Sequence, residues 1–193
     1  MSRLDGLRPE DLNDEQRELY ESIAGGDRAR DASFRLTEDD GSLVGPFNTL
    51  LLSPVVGNAV QSVGAAIRFG CGLSSLVREV AILAVAAHRR SPFEWWAHEP
   101  IGRRAGLDDA QIAALHAGET PSFDDETATA TYAFCKALIA GGRPEDASYE
   151  AVRDALGLDG VMELVTLVGY YTLLAQLMET FDVGVPRGEP SPF

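Results

Sequence analysis

The stretch "SLVREVAILAVAAHRR" (75–90) constrains the fold more than any other part of the chain. As a helix it is apolar on most sides. Such a helix has no broad face to give to water, so other elements must surround it. Ser74 or Ser75 supplies an N-cap, and the run His88–Arg89–Arg90 places cations at the C-terminal end, where the helix dipole favours them. One residue breaks the pattern. Glu79 is a carboxylate among small and apolar neighbours, and burying it is costly unless it is paired or serves chemistry. Arg78 is adjacent in sequence, but i and i+1 point to different faces. An ion pair with an arginine at a helix interface and a chemical role are both open.

The rest of the chain reads as helix around that centre. "EDLNDEQRELYESIA" (10–24) is a short amphipathic helix stopped by Gly25 and Gly26. Residues 25–46 are polar and read as a loop, long enough to be functional or to cover something. Ser53–Pro54 and Ser91–Pro92 each place an N-cap before a proline at the first helical position. The first opens a helix to about Gly70. The second opens a helix from Phe93 to Ala105, which Pro100 is expected to kink or split. Three further helices follow in "LDDAQIAALHAG", "DDETATATYAFCKALIAGG" and "ASYEAVRDALGL". A long apolar one covers 160–182, and a Pro-rich tail (183–193) is extended. No segment has strand periodicity. The expected class is all-α.

Length and composition agree with one domain: 193 residues, 45% hydrophobic, suffice for one core. The net charge of −14 excludes nucleic acid and anionic membranes as partners on electrostatic grounds. Cys71 and Cys135 form neither a CxxC nor a zinc pattern, so a reducing compartment is expected. No signal peptide is recognisable, and no apolar run is read as reaching the length of a membrane span. The location expected is cytoplasmic.

The chemistry concentrates in "SPFEWWAH" (91–98), which holds both tryptophans. Glu94 and His98 are i and i+4, on one helix face. A carboxylate beside an imidazole orients the ring and raises its pKa, so His98 is a candidate acid or base. A plain surface pair fits the same spacing. Trp95 and Trp96 diverge by about 100° on a helix, so one is expected in the core and one at a pocket or interface. His88 reads as a helix-end cation, His116 as a surface residue, Tyr170 and Tyr171 as core, and both cysteines as small buried hydrophobes.

These pieces occur in order over residues 45–115: GPFN, then L-x2-R-E-x2-I-L-x-V-A, then F-E-W-x2-H, then A-G-L before an acidic turn. The block resembles the carboxymuconolactone decarboxylase family, sister to the alkylhydroperoxidase D-like proteins. The resemblance covers about 45–180. It implies an all-helical fold built on a central helical hairpin and a homo-oligomer, a trimer or hexamer. It divides the chain into an N-terminal extension (1–44), a family domain (45–182) and a tail (183–193).

In the peroxidase branch a glutamate precedes C-x2-C-x3-H by twelve residues. Here Glu79 and His98 keep the relay positions, while Ser91 and Glu94 stand where the cysteines would be. Peroxide reduction through a disulfide needs two thiols, so that activity is expected to be absent. The resemblance implies a cofactor-free, metal-free acid–base enzyme acting on a small carboxylic acid or lactone. His98, Glu94 and Glu79 are its expected catalytic groups. Phe47, Asn48, Arg78, Ser91, Trp95 and Trp96 are expected to shape the substrate pocket. A peroxidase relative and a non-catalytic oligomeric small-molecule-binding protein are the alternatives.

Overall fold

The structure is a computed structural model and describes residues 3, 4, 6–26 and 34–193. Part of the predicted 25–46 loop, residues 27–33, therefore lies outside the described residues. Among the described residues the helices are α1 (Asp14–Ala24), α2 (Pro46–Leu50), α3 (Pro54–Phe69), α4 (Ser75–Arg89), α5 (Pro92–Arg104), α6 (Asp109–Ala117), α7 (Glu126–Ile139) and α8 (Asp146–Phe181). The all-α class is as expected. The described residues contain one isolated bridge, Thr37 to Leu43, and no strand.

Helix α4 is central, for the reason its composition gives. It packs against α5, α6, α7 and α8, and every residue from Glu79 to Ala86 is buried. Its two sides feed two apolar clusters. Val77, Ala81 and Val85 join Phe93, Phe134, Leu164 and Leu167; Val80 and Leu83 join Trp95, Leu107, Ile112 and Leu115. A third cluster ties the N-terminal arm to the domain. Leu19 and Ile23 of α1 pack with Leu43, Phe47, Leu50 and Leu51.

Local signals fixed most element ends. Asn13 and Asp108 each form a complete capping box, and Ser74 caps α4 through Val77 N–H. Two expectations about elements need correction. First, no element is expected between the 25–46 loop and the helix at Ser53, and the buried one-turn helix α2 lies there. Second, Pro100 does not split α5, which runs unbroken through it. The two C-terminal helices expected are both present within α8, joined at Gly157, whose φ of 76° and ψ of 174° are non-helical. By length and composition α8 is apolar enough to cross a membrane, contrary to the reading that no run reached that size. Its buried stripe, which includes Leu164, Leu167, Leu174 and Met178, is core.

Candidate active site

The hairpin α4–α5 brings Glu79 and His98 together. His98 Nδ1 lies 2.8 Å from Glu79 Oε2, and both side chains are buried, at 9% and 6% exposure. A carboxylate only accepts, so Nδ1–H donates to it. The bond fixes the tautomer and leaves Nε2 for the cavity that His98 lines. The alternative of an arginine partner for Glu79 does not hold. Arg78 turns away and donates to the Leu73 carbonyl and Ser75 Oγ.

Glu94 is the least expected group. It is 2% exposed, and neither of its oxygens has a hydrogen-bond partner. Its place in the first turn of α5 favours a charge, since the helix N-terminus is positive. Burial outweighs that. Desolvation holds its pKa well above the usual carboxylate range, and the nearby Ser91 hydroxyl and Arg89 charge oppose the shift only in part. Burial therefore favours the protonated form of Glu94. Ser91 occupies the N-cap position but makes no cap bond, and its buried hydroxyl is turned to the Glu94 carboxyl without a well-aligned hydrogen bond. Buried polar groups without partners are rare and call for a ligand or water. The surface-pair reading of Glu94 and His98 is thus corrected: both are buried.

The two groups open on one cavity of about 40 Å³. That volume accommodates only a few water-sized groups. Phe34, Phe47 and Phe93 wall one side, and Tyr170, Tyr171 and Leu174 of α8 wall another. The edge of Tyr171 meets the His98 ring at 5.2 Å and 89°. Arg68, at the end of α3, brings a cation to the rim.

Of the residues expected to shape the pocket, Phe47 lines this cavity and Ser91 lies buried beside Glu94. Four do not line it. Asn48 exchanges two hydrogen bonds with the backbone of Leu7 and so anchors the N-terminal arm. Arg78 lies at the far end of α4. Trp95 is core, with its indole N–H donating to Glu99 at 2.8 Å. Trp96 packs on the outer side of the aromatic wall, 5.0 Å from Phe34 and 5.7 Å from Phe93. Sequence reasoning missed Arg68, a helix-end arginine like any other. It also assigned the two tyrosines to the core alone.

Neither thiol lines this cavity. Cys135 is buried, which pushes its pKa up, and Cys71 Sγ lies 2.8 Å from the Ile67 carbonyl. Among the described residues no cluster of three His, Cys, Asp or Glu side chains is arranged for a metal.

Comparison with known proteins agrees with this architecture. Residues 54–142 match the carboxymuconolactone decarboxylase family. No curated protein matches the chain. Among solved structures, the debrominase Bmp8 in complex with 2,3,4-tribromopyrrole superposes with a TM-score of 0.72 at 12% identity, covering 97% of this chain and 95% of that one. An uncharacterised peroxidase-related protein from Ralstonia eutropha JMP134, with an alkylhydroperoxidase AhpD core, gives 0.73 at 17% identity over 96% and 93%. A putative antioxidant defence protein AhpD from Agrobacterium tumefaciens gives 0.62 at 16% identity over 72% and 96%. At these identities the likeness establishes the fold.

Proposed function

Residues 54–142 belong to the carboxymuconolactone decarboxylase family, and from that premise we propose that the chain is a cofactor-free acid–base enzyme acting on a small carboxylic acid or lactone. One observation carries the reading. His98, hydrogen-bonded to buried Glu79, and a buried Glu94 whose pKa burial raises line the same cavity. An acid and a base held in different protonation states by their surroundings are what proton-transfer chemistry requires.

In a decarboxylation the C–COO⁻ bond breaks, carbon dioxide leaves, and its electron pair enters a dienolate. Glu94 donates a hydrogen bond to the enolate oxygen as charge builds there. His98 in its protonated form delivers a proton from Nε2 to carbon, with Glu79 stabilising the imidazolium beforehand. Solvent then restores the proton. Arg68 at the rim favours an anionic substrate.

The test is turnover of candidate acids and lactones by wild type and His98→Gln, assayed as carbon dioxide release. Loss of a positioned acid or base typically costs about 10²- to 10⁴-fold. Unchanged turnover in the variant removes His98 from the mechanism. The small cavity favours a second reading, small-molecule binding without turnover. A ligand that binds and is recovered unchanged would support it. The Ser91 and Glu94 positions argue against disulfide chemistry, so peroxide consumption with a thiol reductant is expected at background.

We also propose a homo-oligomer. Helices α3 and α8 pack together and leave Val55, Val56 and Phe69 on one, and Leu158, Met162 and Val165 on the other, exposed. Apolar surface of this kind favours a partner.

A further inference from the structure

The Pro-rich tail is not loose. Its last residue, Phe193, stacks on His116 at 4.6 Å and 11°, meets Trp95 edge-on at 5.8 Å, and has the Arg90 guanidinium 5.1 Å above its ring. Arg90 stands where α4 ends, in the left-handed conformation (φ 48°), close to the start of α5. The Pro192 carbonyl lies 2.9 Å from His116 Nε2. Upstream, Trp96 Nε1–H donates to Glu189 Oε2 at 3.3 Å, and Arg187 reaches Asp40 at 3.3 Å. Pro190 and Pro192 close one side of a groove of about 370 Å³ whose other side is Trp95, Trp96 and Phe34.

Phe34 lines both this outer groove and the inner cavity. Phe34, Trp96 and Phe93 form one aromatic cluster with all three centroid separations between 5.0 and 5.7 Å. The cluster is thus the partition between tail and His98, and its outer member is tied to the tail by Glu189. The inner cavity is narrow, about 40 Å³, so the position of its walls sets how large a ligand reaches His98. The walls from Glu94 and Ala97 of α5 and from Tyr170 and Leu174 of α8 are buried. The aromatic partition is the wall whose backing is a surface segment.

We propose that the C-terminal segment 186–193 is a positioning element and gate for this cavity. Docked, it holds Trp96 and, through it, Phe34 and Phe93 against the site. Released, it lets Trp96 and Phe34 swing away from Phe93 and admits a ligand to His98. The importance of the gate for turnover rests on the cavity being the reactive site; its mechanical operation does not.

The experiment uses the full chain and needs no substrate. Glu189→Ala and Phe193→Ala, alone and together, are compared with wild type by two readouts. Both tryptophans contact the tail, so a red shift in emission and faster acrylamide quenching report its release. Diethyl pyrocarbonate modification of His98, located by peptide mass spectrometry, reports access to the cavity, with exposed His88 as internal standard. The expected result is a severalfold rise in His98 modification in step with the tryptophan change, at nearly unchanged melting temperature. Tail release with no change at His98 overturns the proposal. So does a tail that stays docked in the double variant, since these contacts are then not its latch. Trp96→Phe, which removes the indole N–H together with part of the ring, must raise His98 modification at least as much as Glu189→Ala does; if it does not, the connection through Trp96 is wrong. His98→Gln turnover tests the reaction separately, so failure of one leaves the other readable.

Discussion

At the residue scale, Glu94 is the group whose behaviour is least ordinary. Unfolded, a glutamate titrates near 4.5; folded, burial holds this one well above that. Between the two values the unfolded chain has lost the proton and the native state retains it, so unfolding releases a proton and stability falls as pH rises. The contribution is fully present below about 4.5 and is lost upward through the folded pKa. Glu94→Gln keeps the shape and removes the titration. Its unfolding free energy in urea should therefore gain on wild type as pH is raised above about 4.5, by up to about 1.4 kcal/mol per pH unit at the steepest, and level off above the folded pKa. A pH-independent difference would show that Glu94 is ionised in the native state. Glu79→Gln bears on the pair. The amide can still accept from Nδ1–H but no longer stabilises an imidazolium, so turnover should fall about 10- to 100-fold while the fold persists.

At the element scale, two glycines set geometry that no other residue supplies. Gly45 precedes α2 with φ 59° and ψ −140°, and a Cβ there would sit 2.3 Å from the Phe93 ring. Gly45→Ala should cost at least about 1–3 kcal/mol in urea denaturation from backbone strain alone, and should displace a wall of the cavity. Gly157 breaks α8 at φ 76°, and there a Cβ would meet Asp159 Oδ1 at 2.7 Å. Helix existence and type were legible because α4, α5 and α7 carry caps, stops and apolar stripes in their own sequences. The short α2 was not, since "PFNTL" has only one turn of pattern and is buried by tertiary packing. Pro100 misled because the loss of one backbone hydrogen bond is small beside the packing of α5 on α4.

At the scale of the whole molecule, the motif spacing placed Glu79 and His98 on facing helices, and geometry joined them. The burial of Glu79 was legible from its apolar helix; that of His98 and Glu94 was not, because amphipathic spacing says which side chains share a face but not what covers it. Arg68, Tyr171 and the tail come to the site from α3, α8 and the C-terminus, over distances in sequence that local pattern cannot reach. The apolar surface of α3 and α8 predicts self-association, which light scattering after size-exclusion chromatography checks. Val56→Asp with Val165→Asp should shift the mass towards one chain; a single-chain mass in the unaltered protein would refute the proposal.

The central claim is that His98, set by Glu79, moves a proton in this cavity. Carbon dioxide release from small unsaturated acids and lactones, measured for wild type and His98→Gln with no added cofactor, tests it most directly. The account predicts turnover by the wild type and a loss of about 100-fold or more in the variant, with an unchanged melting curve. Equal turnover by the two proteins on a substrate that the wild type decarboxylates would contradict it.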